Sequence, residues 1–252
     1  MTTATRESIS NLRVLLFGGN GRVARAMTSL MVARSWDVTS VIRNPQQELD
    51  ILRLGAHGPG RLDVLHCDLR HIESPDDATR LLEKVQPNCV VFAAGSFSNP
   101  YEIDRDVAQR IIQASGRADY RDIKEYLWES NSYPSVKDSK LQADEHLVAV
   151  ARQRELRGSP GLQAISLRPS WLLTSPATGK VKLGKTQAVG QVTIGDVASV
   201  AVSLLSRDDT SGWYDLVQGD QGIDQAVEAV VRDRVICIEG EDVQRIYSLK
   251  LD

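Results

Sequence analysis

One stretch of the sequence decides the fold: RVLLFGGNGRVA, at residues 13–24. Its first five residues form a short run rich in aliphatic side chains, which predicts a buried strand. Its last residues open a longer run, 22–34, in which apolar side chains recur at helical spacing. Between the two runs lies a glycine-rich turn. A strand, a glycine turn and a helix in this order are typical of a loop that binds a pyrophosphate.

Each small residue of this turn has a physical reason to be there. Gly18 permits the tight turn, Gly21 lets the backbone approach phosphate oxygens, and Ala24 keeps the helix close to the sheet. The helix N-terminus adds N–H donors and the positive end of the helix dipole. A plain connection between a strand and a helix is the alternative. We predict a dinucleotide site on six residues: Gly18, Gly19, Asn20, Gly21, Arg22 and Val23.

The end of the second predicted strand bears on the kind of dinucleotide. Sites that prefer NAD place an acidic residue there to bind the ribose 2′-hydroxyl. This chain has Arg43 instead, and a guanidinium can hold a 2′-phosphate through two hydrogen bonds. We therefore predict NADP(H) as the cofactor, with Arg22 as a second basic residue in the turn. A merely solvated strand end at Arg43 is the alternative.

Beyond the turn, short apolar runs alternate with longer amphipathic runs along the whole chain. This alternation predicts an α/β fold in which helices cover both faces of a parallel sheet. We expect a doubly wound, Rossmann-type sheet of about seven strands, in a single domain over residues 1–252. A Gly/Thr/Lys-rich stretch from Ser170 to Gly190 is expected to be irregular, within a substrate-side loop at about residues 170–192.

Composition argues against several classes of protein. The chain has 30 Lys plus Arg and 33 Asp plus Glu, a net charge of −3, so we expect no general attraction to nucleic acid or anionic lipid. No apolar run approaches the roughly 20 residues of a membrane span, and the N-terminus lacks the apolar stretch of a secretory signal. Three widely spaced cysteines argue against a disulfide framework. We expect a cytoplasmic protein, monomeric or homodimeric, that binds a small-molecule substrate.

Several further motifs occur in an order and spacing that resemble a known family. They are Cys67-Asp68-Leu69, Val91-Phe92-Ala93-Ala94-Gly95, Ser139-Lys140-Leu141-Gln142-Ala143-Asp144, Ile165-Ser166-Leu167-Arg168-Pro169, Thr178-Gly179-Lys180-Val181 and Asp196-Val197-Ala198. With the glycine turn, they make the chain resemble the atypical short-chain dehydrogenase/reductases over nearly its whole length. It is most similar to the group that includes NmrA-like proteins and relatives of biliverdin-IXβ and flavin reductases, especially the fungal members.

The resemblance implies further cofactor-binding residues at the ends of successive strands. In chain order, they would bracket the adenine, lie beneath the adenosine ribose and the nicotinamide, and pass along the nicotinamide through their backbone. They are Asp68 and Leu69, then Ala93, Ala94 and Gly95, then Pro169, Ser170 and Trp171.

The resemblance also implies catalytic positions and exposes one departure. Lys140 matches the lysine that hydrogen-bonds the nicotinamide ribose, and Ser130 matches the residue that orients the substrate. In the family a tyrosine four residues before that lysine protonates the substrate, but this chain has Val136 there, which has no proton to donate. Tyr133 is a substitute donor if it swings into the cleft. A loop aromatic packed on the surface is the alternative.

Other residues give weaker indications. His66-Cys67-Asp68 followed by His71 lacks the spacing of a zinc site, so we predict no metal. His146 lies on a polar helix and is expected to be solvated. Trp171 is expected to form an apolar wall of the substrate pocket, with burial in the core as the alternative.

Three functions are compatible with these residues. The first is an NADP(H)-dependent oxidoreductase that reduces a small carbonyl-bearing or conjugated molecule, such as a secondary metabolite, with Tyr133 or water as the proton source. The second is a redox-neutral isomerase, dehydratase or cyclase. Val136 suggests it, because this residue changes the reaction face and leaves the cofactor-binding half intact. The third is a non-catalytic module that senses the NADP state and docks a partner protein.

Overall fold

The computed structural model describes residues 11–117, 124–128, 134–159, 161–187, 189–238 and 240–251. Within these residues the strands are β1 Arg13–Phe17, β2 Asp37–Ile42, β3 Leu62–His66, β4 Cys89–Phe92, β5 Lys124–Trp128, β6 Gln163–Pro169, β7 Trp171–Leu173, β8 Lys180–Gly184, β9 Gln191–Thr193, β10 Gly212–Gln218 and β11 Gln221–Gly222. The α-helices are α1 Arg22–Ala33, α2 Glu48–Leu52, α3 Pro75–Val85, α4 Ala108–Arg117, α5 Pro134–Leu156, α6 Ile194–Leu205, α7 Ile223–Arg232 and α8 Val243–Tyr247. A π-helical segment, Tyr101–Val107, leads into α4.

Nine of the described strands form one sheet in the order β11-β8-β10-β6-β5-β4-β1-β2-β3. The seven strands from β10 to β3 are parallel. At the β10 edge, β8 pairs antiparallel with β10, and β11 pairs antiparallel with β8. The strand order reverses between β1 and β4, and ligands of open α/β sheets bind at such a reversal. The predicted Rossmann-type sheet is confirmed, and the edge strands β8 and β11 are an addition to it.

The central strand β1 shows why helices cover both faces of the sheet. Val14 and Leu16 belong to one apolar layer, which includes side chains of α1 and α6. Leu15 and Phe17 belong to a second layer, which includes side chains of α3, α4 and α5. Successive side chains of a strand point to opposite faces, so a strand buried on both faces has a continuous apolar sequence.

The substrate-side segment is more regular than its sequence predicts. The expectation of an irregular stretch from Ser170 to Gly190 is wrong, because this stretch contains β7 and β8. Strand β7 pairs with β9, and β8 joins the main sheet. In β8 the buried Val181 and Leu183 alternate with exposed lysines. This period-two pattern is short, and the neighbouring Gly, Thr and Lys residues obscure it.

The carboxylate of Asp196, buried at the start of α6, ties this segment to the helix layer. It accepts the N–H of Thr178 at 3.0 Å and that of Gly179 at 2.8 Å. It also accepts the hydroxyl of Thr178 at 2.9 Å and that of Thr193 at 2.8 Å. Burial raises the pKa of Asp196, but these donors outweigh it and hold the pKa below its ordinary value. The anchor is therefore a charged carboxylate.

The long helix α5 differs from its prediction at His146. The expectation that His146 is solvated is wrong: the residue is 7% exposed, and its Nε2 has no hydrogen-bond partner among the described residues. Burial lowers the pKa of His146 to about 4. Helix α8, from the far end of the chain, packs against α5, so tertiary packing covers part of a helix whose sequence is polar. None of the helices in the described ranges is long and apolar enough to cross a membrane.

Candidate functional site

The glycine turn lies where the strand order reverses, against the ends of β2 and β4. Gly18 has a φ of +78°, a left-handed conformation that favours glycine. A Cβ atom on Gly18 would lie 2.6 Å from the Cα of Ala94, just beyond β4. The N–H of Gly19 donates to the carbonyl of Val41 at 2.9 Å, and the N–H of Gly21 donates to the carbonyl of Gly18 at 2.8 Å. Backbone contacts on both sides therefore fix the turn.

Helix α1 begins directly after this turn, with an open N-terminus. Its capping residue is Gly21, which has no side chain, and its first turn carries no acidic residue. The first N–H groups of a helix lack partners within the helix, and the helix dipole places partial positive charge there. Asn20 uses its side-chain oxygen to accept a hydrogen bond from Arg25 at 3.1 Å. These features fit a pyrophosphate, whose oxygens accept from bare N–H groups.

A cavity of about 250 Å³ opens beside the turn. Seven of its lining residues are predicted site residues: Gly21, Arg22, Val23, Ala93, Gly95, Lys140 and Trp171. Five more complete the lining: Ser96, Phe97, Asp104, Val136 and Leu172. The fold therefore brings the glycine turn, the predicted lysine and the predicted tryptophan to one cavity.

Lys140, on α5, forms a buried ion pair in the wall of this cavity. Its Nζ lies 2.6 Å from Oδ1 of Asp104, and the two side chains are 6% and 0% exposed. The other carboxylate oxygen of Asp104 accepts the N–H of Ser96 at 2.8 Å. A Cβ atom on Gly95 would lie 3.0 Å from Oδ1 of Asp104. Glycine at that position therefore leaves room for the pair, which fixes an ammonium group at the cavity.

Sequence reasoning missed Asp104, although it carries a signal. Asp104 lies in the π-helical segment that leads into α4, and π-helical turns are frequent at functional sites. It precedes the buried Val107, Ala108 and Ile111 at intervals of three, four and seven residues. A carboxylate on the buried stripe of a helix is costly without a partner. That position distinguishes Asp104 from the neighbouring acidic residues.

Val136 lines the cavity one helical turn before Lys140 and is itself buried. This is the position at which the resemblance places a tyrosine, so an aliphatic side chain occupies the place of the usual acid. Helix α5 begins at Pro134. The predicted catalytic residues Ser130 and Tyr133 lie outside the described residues, and their roles stay predictions.

Trp171 and Phe97 form the outer wall of the cavity. The two residues are 61% and 75% exposed, so burial of Trp171 in the core is wrong. The N–H of Trp171 donates to the carbonyl of Gly190 at 3.3 Å, and the hydroxyl of Ser170 donates to the same carbonyl at 2.6 Å. The predicted residues Pro169 and Ser170, next to Trp171, are buried and do not line the cavity. Two exposed aromatic rings thus border the opening.

The predicted residues at the adenosine end also lie outside this lining. Arg43 directly follows β2 and is exposed. The carboxylate of Asp68 accepts hydrogen bonds from the guanidinium of Arg70, which lower the pKa of Asp68 to about 2. Leu69 begins a short 3₁₀ turn that Asp68 caps. Arg43 follows β2 and Asp68 follows β3. These two strands are neighbours in the sheet, on the same side of the glycine turn.

The histidine and cysteine positions form no recognisable metal site. In the described part of the chain, no group of three or more His, Cys, Asp or Glu side chains is arranged to hold a metal ion. Nε2 of His66 instead lies 3.1 Å from the carboxylate of Glu48. Cys67, Cys89 and Cys237 are present as thiols, and burial raises the pKa of Cys67 and of Cys237.

A doubly wound sheet with an open helix N-terminus at its reversal point defines the class of dinucleotide-binding Rossmann proteins. The sequence matches the profile of the NAD(P)H-binding family over residues 18–208, and the chain belongs to this family. The resemblance to atypical short-chain dehydrogenase/reductases is thereby confirmed.

Known proteins match this chain over most of their length, one by sequence and two by structure. A UPF0659 protein of Schizosaccharomyces pombe is 25% identical over 239 residues, which cover 86% of this chain and 94% of that protein. A Bacillus halodurans protein provisionally named an NAD-dependent epimerase/dehydratase has a TM-score of 0.69 at 24% identity, covering 86% of this chain and 99% of its own. ChuY, an anaerobillin reductase from Escherichia coli O157:H7, has a TM-score of 0.58 at 21% identity, covering 82% of this chain and 98% of its own.

Proposed function

We propose that this protein is an NADP(H)-dependent oxidoreductase that reduces a small carbonyl-bearing or conjugated organic molecule. One observation carries the proposal: a single cavity joins the open N-terminus of α1 to the buried ammonium of Lys140. An anion site and a fixed cation at one cavity suit a dinucleotide whose pyrophosphate lies at the helix and whose nicotinamide end reaches the lysine. Similarity to an anaerobillin reductase supports reduction as the reaction.

The positions of the residues suggest how they would hold the dinucleotide. The bare N–H groups at the start of α1, beginning with Arg22 and Val23, would bind the pyrophosphate. Arg43, exposed at the end of β2, would bind a 2′-phosphate and so favour NADP(H) over NAD(H). Lys140 would hydrogen-bond the nicotinamide ribose, as the resemblance implies. When bound, a reduced nicotinamide supplies a hydride.

The cavity wall suggests the kind of substrate. Phe97 and Trp171 present exposed rings, and Val136 and Leu172 add apolar surface. Aromatic rings favour stacking on flat, conjugated molecules. Because Lys140 and Asp104 are the buried charged residues of the described lining, we expect the substrate to turn an oxygen toward Lys140. A flat molecule with a carbonyl or quinone oxygen meets both requirements.

A redox-neutral reaction is the second candidate, and one observation favours it. Val136 lines the cavity where a proton-donating tyrosine would stand, so the reaction face differs from that of a standard reductase while the glycine turn is intact. An isomerase, dehydratase or cyclase would keep the dinucleotide bound through each turnover.

The test is to follow NADPH absorbance with three hydride acceptors: menadione, FMN and cyclohexenone. We expect oxidation of NADPH with at least one of them. Trp171→Ala should raise the KM for that acceptor, because it removes one aromatic wall. Tyr247→Ala, which removes an exposed aromatic residue on α8, is the matched control and should leave the KM unchanged.

The other outcomes separate the alternatives. Conversion of a copurified metabolite, seen by mass spectrometry at constant NADPH absorbance, would favour the redox-neutral reaction. Tight binding of NADPH with no turnover of any acceptor or metabolite would contradict an enzyme and favour a sensing module.

A further inference from the structure

The ion pair of Lys140 and Asp104 is more elaborate than ribose binding requires. Asp104 is fully buried, and it is held from two sides by the N–H of Ser96 and the ammonium of Lys140. The chain accommodates it with a glycine at position 95 and a π-helical segment around it. Burying a carboxylate and an ammonium carries a large desolvation cost, which a binding role alone does not explain.

Among the described residues that line this cavity, none is the tyrosine that usually donates the proton. Val136 stands one turn before Lys140, and its side chain has no exchangeable proton. Among the described residues of the lining, the ionisable ones are Arg22, Asp104 and Lys140. Of these, Lys140 combines acidic protons with a position fixed by its ion pair, in the cavity that Phe97 and Trp171 also line. An ammonium in this wall would stabilise a substrate oxygen that gains negative charge.

We propose that the ammonium of Lys140, positioned by Asp104, donates the proton to the oxygen of a carbonyl substrate in place of the missing tyrosine. This proposal rests on the proposed function. The Nζ–H bond breaks and an O–H bond forms on the substrate, while the carbonyl carbon gains the hydride. The neutral amine then regains a proton from water at the cavity mouth. Lys140 is the catalytic residue and Asp104 the positioning residue. A positioned proton donor typically contributes about 10²–10⁴-fold in rate.

The first test needs neither turnover nor cofactor. p-Nitrophenol is a flat probe with an acidic oxygen, and its phenolate absorbs visible light. An ammonium facing the bound oxygen should favour the phenolate, so the bound probe should ionise at lower pH than the free probe. Lys140→Met should abolish this shift. Lys137→Met, on the exposed side of the same helix, is the matched control and should retain it. Failure of wild type to bind the probe, or equal ionisation in wild type and Lys140→Met, would overturn the proposal.

The second test addresses Asp104 in the turnover of a quinone probe, 9,10-phenanthrenequinone, by NADPH. Asp104→Asn should lower kcat about tenfold and raise the solvent isotope effect, because proton delivery becomes slower. The affinity for NADPH should fall less than kcat does, because the pyrophosphate contacts at the start of α1 do not involve Asp104. An unchanged isotope effect in Asp104→Asn, or equal losses in kcat and NADPH affinity, would show that Asp104 has only a structural role.

Two controls keep these outcomes distinct. The double variant Asp104→Asn/Lys140→Met removes both buried charges and should fold even if Asp104→Asn does not, because neither charge is left alone. It should show no phenolate shift. If wild type fails to bind NADPH, the proposed function fails, whereas the nitrophenol titration still reports on the ammonium of Lys140.

Discussion

Gly18 and Ala94 are in such close contact that the turn at Gly18 cannot accommodate a side chain. A Cβ atom on Gly18 would lie 2.6 Å from both the Cα and the N of Ala94. This contact sets the glycine turn against the end of β4 and thereby positions the N-terminus of α1. The dinucleotide site therefore depends on a backbone-to-backbone approach across the reversal point of the sheet.

Gly18→Ala should destabilise the protein and abolish dinucleotide binding. The left-handed φ alone costs about 1–2 kcal/mol for an L-residue, and displacement of Ala94 adds to this cost. Gly158→Ala is the matched control, because Gly158 has a similar φ of +68° and open space around its Cα. Gly158→Ala should lower the free energy of unfolding by about 1 kcal/mol and leave dinucleotide binding intact. Urea denaturation and NADPH fluorescence measure the two effects, and equal losses in both variants would argue against the close contact.

Arg43→Ala should weaken NADPH binding about 10- to 100-fold, because it removes charge-assisted hydrogen bonds to the 2′-phosphate. The affinity for NADH should hardly change, since NADH lacks that phosphate. Arg34→Ala, at the exposed far end of α1, should affect neither dinucleotide. Fluorescence titration gives the affinities of wild type and both variants for each dinucleotide. A parallel loss for NADPH and NADH would assign Arg43 to the fold instead of the phosphate.

Asp196→Asn should lower the free energy of unfolding by about 2–4 kcal/mol at neutral pH, since the amide cannot accept all the donors that the carboxylate accepts. The lowered pKa of Asp196 means that its contribution is present above the unfolded value of about 3.9 and is lost as pH falls through the folded value. Asp208→Asn, at an exposed position, is the control. Urea denaturation at neutral pH measures both variants, and equal stabilities would contradict the anchoring role.

His146 should make the protein less stable in mild acid. Its folded pKa of about 4 lies below the unfolded value, so the unfolded chain takes up the proton first. The stability is full above about pH 6.5 and should fall by about 2–3 kcal/mol as pH approaches 4. His146→Gln should flatten this slope, and His71→Gln, at an exposed position, should not. Denaturation midpoints measured across this pH range test the prediction. An identical pH dependence of the midpoint in wild type and His146→Gln would contradict the burial of His146.

The parts of the structure that sequence predicts are those with local patterns. The aliphatic run of β1, the glycines of the turn and the helical spacing after Arg22 are all contained within a dozen residues. The sheet type follows from their repetition along the chain. Val136 was identified as a departure because its position is fixed relative to Lys140 on the same helix.

The parts that sequence misses depend on distant residues. The spacing of Asp104 on a buried stripe indicates a buried carboxylate, but its partner is known only when the fold brings Lys140 to it. His146 lies on α5, a helix against which α8 packs from the other end of the chain. Strand β8 is specified by its pairing with β10 more than by its own composition. Tertiary contacts decide each of these cases.

Dinucleotide binding at the glycine turn is the central claim, and a calorimetric titration of the wild-type protein tests it most directly. We expect NADPH to bind with micromolar or tighter affinity, one molecule per chain, and NADH to bind more weakly. If neither dinucleotide produces a binding isotherm, even at millimolar concentration, the claim is contradicted.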